Sequence, residues 1–176
     1  MRRIVLVALI AGWTALQLPA QIRITGLDGL ASKAKESVDI TLDSNLLQMA
    51  GGFLAAGGKD GDKVKGILAG LKAISVKSFQ FKETGQYRIE DLEPIRAQLR
   101  TPGWSKIVSV QSKEEISEVY TRTEQGKVVG FAIIAAEPKE LTVVAIEGTI
   151  DLKDLAALQA LGVPAIQIPN NKGKQE

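Results

Sequence analysis

The sequence predicts an α+β fold, a mainly antiparallel sheet of about five strands with helices packed on it, in a single domain. Three observations carry that prediction. Between Ser105 and Thr149, four strand-like runs follow one another across turns too short for a crossover, which makes neighbours antiparallel. Upstream, several runs repeat apolar residues at helical rather than strand spacing. Without its first 20 residues, the 176-residue chain leaves about 156 residues without cysteine, long enough to bury roughly 68 to 70 per cent of the unfolded surface with no disulfide staple.

The chain opens on Met1-Arg2-Arg3, runs through an apolar stretch from Ile4 to Leu16 and reaches Leu18-Pro19-Ala20-Gln21. That is the order of a secretory signal: positive end, apolar middle, small residue at the cut. Residues 1–20 are therefore expected to be a removed signal peptide, with export by the general secretory route. The apolar run is shorter than the roughly 20 residues of a spanning helix, so no stable membrane anchor is expected after cleavage. The single domain is expected over 21–169 and a disordered polar tail over 170–176.

Within the domain, Leu27, Leu30, Ala31 and Ala34 predict a short helix over 27–36, and Val38, Ile40 and Leu42 a strand. Asp43 or Ser44 can cap a second helix whose Leu46, Leu47, Ala50, Phe53 and Leu54 share a face. A third is expected to start within 60–62, with Val64, Ile67, Leu68 and Leu71 inward. Lys72 to Lys82 reads as a strand whose alternation changes phase, Ile74 and Val76 on one face and Phe79 and Phe81 on the other. A bulge near Lys77-Ser78 would reconcile them. Ile89 to Arg100 predicts a helix with Glu90, Asp91 and Glu93 in its first turn and Arg96 and Arg100 in its last, signs that complement the helix dipole. Thr101-Pro102-Gly103 stops it.

The four later strands are Ser105 to Gln111, Ile116 to Thr123, Lys127 to Ala136 and Leu141 to Thr149. Val128 to Ile134 is apolar at every position, which predicts a strand central in the sheet or covered on both faces. Asp151 can cap a last helix with Leu152, Leu155, Leu158 and Leu161 on one side.

Composition narrows the chemistry. With no His and no Cys, a Ser-His-Asp triad, an imidazole base, a thiol nucleophile and thiolate or imidazole metal ligation are all unavailable. Removing 1–20 takes two arginines and no acid, so the remaining basic and acidic residues are equal in number and mixed along the chain. A nucleic-acid binder needs clustered cations, and nucleic acid is not an expected partner.

Three groups of residues together resemble a known family: Leu42 to Leu47, Ile74 to Phe81, and Asp91 to Leu99 followed by Pro102-Gly103-Trp104-Ser105. Val119-Tyr120, Gly130 to Pro138 and Glu140 to Val144 continue the likeness. The family is the bacterial domain of unknown function 4252. The resemblance implies a small exported envelope protein with no established enzymatic activity and a link to envelope signalling through neighbouring extracytoplasmic sigma factors. Members are frequently lipoproteins, and this chain departs from them in lacking the cysteine that would carry the lipid.

Other chemical signals are weaker than their bland counterparts. Ser32-Lys33-Ala34-Lys35 fits Ser-x-x-Lys but lacks the Ser-Asp-Asn and Lys-Thr-Gly partners of penicillin-recognising enzymes. Glu90, Asp91 and Glu93 sit on one turn and cannot face each other across a sugar. Asp60-Gly61-Asp62 lacks the remaining ligands of a calcium loop. No catalytic residue, cofactor or metal is expected.

The aromatics Phe79, Phe81, Trp104, Tyr120 and Phe131 lie on or beside strands and are expected to gather on one sheet face. Ordinary core packing accounts for most such residues. The functional expectation is that part of this face stays open as a partner surface, with Phe79, Phe81, Arg88, Trp104, Tyr120 and Arg122 as its residues. The resulting expectation is an exported, periplasmic or extracellular, non-enzymatic protein that binds an envelope protein or a second copy of itself. The alternative is a small-molecule binder or a carboxylate-dependent hydrolase.

Overall fold

The computed structural model describes residues 22–55 and 61–149. The elements are α1 (Asp28–Ala31), β1 (Glu36–Asp43), α2 (Ser44–Ala55), α3 (Gly61–Gly70), β2 (Leu71–Gln80), a 3-10 turn (Ile89–Leu92), α4 (Glu93–Leu99), β3 (Trp104–Gln111), β4 (Ile116–Glu124), β5 (Lys127–Glu137) and β6 (Glu140–Gly148). The signal segment, the Asp151 helix and the tail predicted from sequence lie outside the described residues. Among the described residues, no helix is long and apolar enough to cross a membrane.

The fold is α+β. Among the described residues, six strands form one sheet in the order β1-β2-β6-β5-β4-β3, all neighbours antiparallel. The expected count of about five becomes six because the short Val38 to Leu42 run grows into an eight-residue edge strand paired along its length with β2. From β3 to β6 the chain is a meander. Its β4–β5 hairpin turns on Gln125 and Gly126, both at positive φ, the combination that a two-residue hairpin of type I′ requires.

Both faces of the sheet are covered. On one, α4, the 3-10 turn and residues 22–31 pack over Phe79, Phe81, Tyr120, Ile134, Leu141 and Val143. On the other, Leu47 of α2 and Leu68 of α3 join Ile74, Val119, Phe131, Ile133 and Val144. This corrects the expected bulge at Lys77-Ser78. β2 keeps one register against β6 from Ala73 to Gln80, and its only shift lies between Leu71 and Ala73. The phase change needs no kink, because Ile74 finds cover on one face and Phe79 on the other. The uninterrupted burial of Gly130 to Ile134 has the same cause.

Local chemistry sets the element ends. Asp43 Oδ1 accepts the Asn45 and Leu46 N–H groups at 2.9 Å each, capping α2. The helix expected over 27–36 is cut to one turn. The Ser32 hydroxyl donates to the Gly29 carbonyl, and the Lys35 N–H donates to Gln80 O at 2.7 Å, drawing the chain into the sheet. The helix expected over 89–100 splits into a 3-10 turn and α4, with Pro94, which has no N–H to donate, opening the second part. Leu71, expected on the third helix, is the first residue of β2.

The segment from Ile22 to Leu27 belongs to the core. Ile22 N–H donates to Glu147 Oε1 at 2.8 Å, and Arg23 exchanges two backbone hydrogen bonds with the Gln98 amide of α4. Ile22, Ile24 and Leu27 are buried.

Candidate functional site

α4 covers its sheet face incompletely. Between it and the β3–β4 end of the sheet lies an open cleft of about 550 Å³, walled by Glu93, Arg96, Leu99 and Arg100 on the helix side. Trp104, Lys106, Gln111, Ile116, Glu118 and Tyr120 form the sheet side. Alternation aligns Ile116, Glu118 and Tyr120 on β4, and the register shift between Lys106 and Val108 brings Gln111 of β3 to the face of Trp104 and Lys106; Lys106 pairs across the ladder with Tyr120, and Trp104 with Arg122.

Glu118 organises this surface. Its carboxylate accepts from Arg96 Nε at 3.0 Å, Lys106 Nζ at 2.7 Å and the Tyr120 hydroxyl at 3.0 Å. Burial pushes its pKa up, but the three donors outweigh that and hold it below the ordinary carboxylate value. Lys106 is raised, first by its hydrogen bond to Glu118. Its ammonium also stands 5.2 Å from the Tyr120 ring centroid, in cation–π range. Burial raises Tyr120 against the opposing effect of Lys106. A carboxylate held ionised by three donors is a poor proton shuttle at neutral pH, so Glu118 acts as a scaffold that fixes two cations and a phenol. At the rim, Arg100 pairs with Glu93.

Trp104 forms the end of the cleft. A Cβ built at Gly130 would stand 3.0 Å from Trp104 Cη2 and 3.1 Å from Arg122 Cβ, so the indole lies against bare β5 backbone. Behind it, Arg122, Lys72, Glu124 and Glu147 line a second depression of about 330 Å³. Glu147 is pushed up by burial, against its hydrogen bond from Ile22 and the charges of Arg122 and Lys72.

The structure divides the sequence-derived residues. Trp104 lines the cleft half-buried, Tyr120 lies at its floor and is as buried as the core, and Arg122 lies just beyond Trp104. Phe79 and Phe81 are buried core residues and offer no surface to a partner, which corrects their place in the candidate set. Phe81 instead stacks on Tyr87, with ring centroids 5.3 Å apart. Arg88 is exposed, pairs with Glu90 at 3.7 Å and does not line the cleft. The aromatics also fail to share one face: Phe131 points to the α2–α3 side. Sequence reasoning missed Glu118, Arg96 and Lys106 as a unit. Its available signal was an acid two residues from Tyr120, hence on the same strand face.

The acids considered for hydrolysis each have a local partner. Asp91 accepts the Arg88 N–H at 2.9 Å, Glu93 pairs with Arg100 and Glu90 with Arg88. Among the described residues, no group of three or more acids is placed to hold a metal ion.

Residues 32–158 match a family model described as a domain of unknown function, DUF4252. The chain belongs to the DUF4252 family. No curated protein and no solved structure matches it. All of the cleft's framework in this DUF4252 domain, from α4 through β5, falls inside the matched span.

Proposed function

We propose that this chain is an exported, non-enzymatic envelope protein whose α4–β3–β4 cleft binds a segment of another protein. The carrying observation is the cleft wall, where half-buried Trp104 stands beside Arg96, Arg100 and Lys106 over the buried Tyr120, on a frame fixed by Glu118. Aromatics and arginines are the residues that dominate partner surfaces, and side chains already locked by hydrogen bonds lose little freedom on binding. Three cations against Glu93 and Glu118 suit a partner segment carrying a carboxylate. Export rests on the signal-like order of residues 1–20, and periplasmic or extracellular placement follows from it. The link to envelope signalling rests on the family resemblance alone.

The test is affinity capture, after cross-linking in the native cells, with wild-type bait and a Trp104→Ala bait of matching thermal stability. One envelope protein enriched by wild type and lost with Trp104→Ala is the expected result. Equal recovery with both baits would remove the cleft from the interaction. A second reading, a small-molecule binder, is favoured by the cleft volume, which falls within the roughly 300–1,000 Å³ typical of ligand sites. A ligand that raises the melting temperature of wild type but not of Trp104→Ala would favour it.

A further inference from the structure

We infer that the β1 edge of the sheet, with the neighbouring side of α2, is a two-fold interface for a second copy of this chain. It lies at the opposite edge of the sheet from the cleft, so the two surfaces can fail independently.

The two edge strands differ in how they are finished. β3 shifts register between Lys106 and Val108 and presents Lys106, a bulge and a charge of the kind that block edge-to-edge pairing. β1 has neither. It runs in unbroken register against β2 from Glu36 to Asp43, without lysine or proline, and its Asp39 is already paired with Lys77 at 3.2 Å. On its α2 side, Val38 and Ile40 are exposed.

α2 continues the apolar surface. Its sequence from Ser44 to Ala55 contains no charged residue, and an uncharged helix is poorly suited to remain solvated. Leu47 is buried and Gly51 lies against Leu68 of α3. Leu46, Met49 and Phe53, spaced i, i+3 and i+7, occupy the other side, where Met49 is 61% and Phe53 78% exposed. α2 follows directly on β1 and packs against both β1 and β2, so this stripe belongs to the helix joined to the edge strand.

The β1 sequence is self-complementary in one antiparallel register. With Ile40 opposite Ile40 of the second copy, Val38 meets Leu42, Asp39 meets Thr41 and Ser37 meets Asp43. Apolar residues then face apolar residues, and no like charges oppose. Sliding by one step in either direction sets Asp39 opposite Asp39 or opposite Asp43, which cross-strand repulsion disfavours. A slip that changes face is excluded by the pleat. The second copy thus satisfies the free backbone edge and covers the apolar side chains together, and the two sheets become one.

Light scattering on the chain as the cell processes it is expected to give twice the monomer mass. Ile40→Lys, which sets like charges on the two-fold axis, and Met49→Glu with Phe53→Glu are each expected to return it to monomer with unchanged far-ultraviolet circular dichroism. Because the chain has no cysteine, Ile40→Cys should oxidise to a covalent dimer. Val38→Cys alone should not, whereas Val38→Cys with Leu42→Cys should. A monomer at every concentration would overturn the interface. So would a dimer that survives Ile40→Lys, and cross-linking through Val38→Cys alone would overturn the register.

Discussion

Replacing Glu118 by glutamine removes one charge from beneath two cations and a phenol, and its cost can be worked from the structure. Breaking a buried ion pair from one side costs about 3–5 kcal/mol. Here the Glu118 side chain is 7% exposed and Arg96 17%, but Lys106 is 39% exposed and solvent screens its share. The lower end, about 3 kcal/mol, is therefore appropriate. For a domain near 150 residues that corresponds to a melting temperature lower by about 6–12 °C. The pH dependence gives a sharper test. Glu118 has a depressed pKa in the folded state, so its contribution is present above the unfolded value near 4.3 and fades as pH falls through the folded one. Thermal unfolding of wild type and Glu118→Gln, followed by circular dichroism from pH 7 downward, should show a large gap that closes in acid. A variant that melts with wild type at pH 7, or a gap of constant size, would refute the scaffold role.

Other outcomes follow from the same geometry. Gly130→Ala forces the Trp104 ring and Arg122 away from β5 and should cost about 1–3 kcal/mol in denaturant unfolding; the double variant with Trp104→Ala should recover part of that loss. The Tyr87 hydroxyl donates to the carbonyls of Glu137 and Glu140, and burial, aided by the Glu137 charge, pushes it up to about 12. Its contribution is thus complete below the unfolded value near 10 and lost as pH rises toward the folded one. Tyr87→Phe should cost about 1 kcal/mol at pH 7 and flatten the decline of stability in alkaline melts. Ile95, fully buried on the sheet-facing side of α4, should cost about 2–5 kcal/mol when cut to alanine, in a urea titration with little change of slope.

What could be read from sequence was mostly local. The β3-to-β6 meander was legible because Glu124-Gln125-Gly126 and Glu137-Pro138-Lys139 are turns too short for anything but antiparallel return. Position narrowed the cap of α2 to Asp43 or Ser44, and Asp43 supplies it. The union of β2 with β6, Ile74 opposite Ile146, had no local signal, since it joins strands far apart in sequence and is decided by which apolar faces need cover. The same non-locality misled the reading of β2: a change of phase suggests a bulge when one covered face is assumed, and the sheet has two. Phe79 and Phe81 entered the candidate surface for being aromatic, although aromatic residues are also the largest contributors to a core. The cleft was half legible. Trp104 and Tyr120 could be chosen by type, but Arg96 had been assigned to the helix dipole, and only the crossing of α4 over β4 brings it to Glu118.

Site-specific photo-cross-linking in the native cells tests the binding role of the cleft most directly. A photoreactive side chain replaces Gln111 on the cleft wall, and in a separate strain Lys113, in the β3–β4 turn away from that wall. The expected result is one discrete adduct with another protein from position 111, absent from position 113 and abolished by adding Trp104→Ala to a chain that still folds. Identical adducts from both positions, or an adduct at 111 that persists without the indole, would contradict the assignment of this cleft as the binding surface.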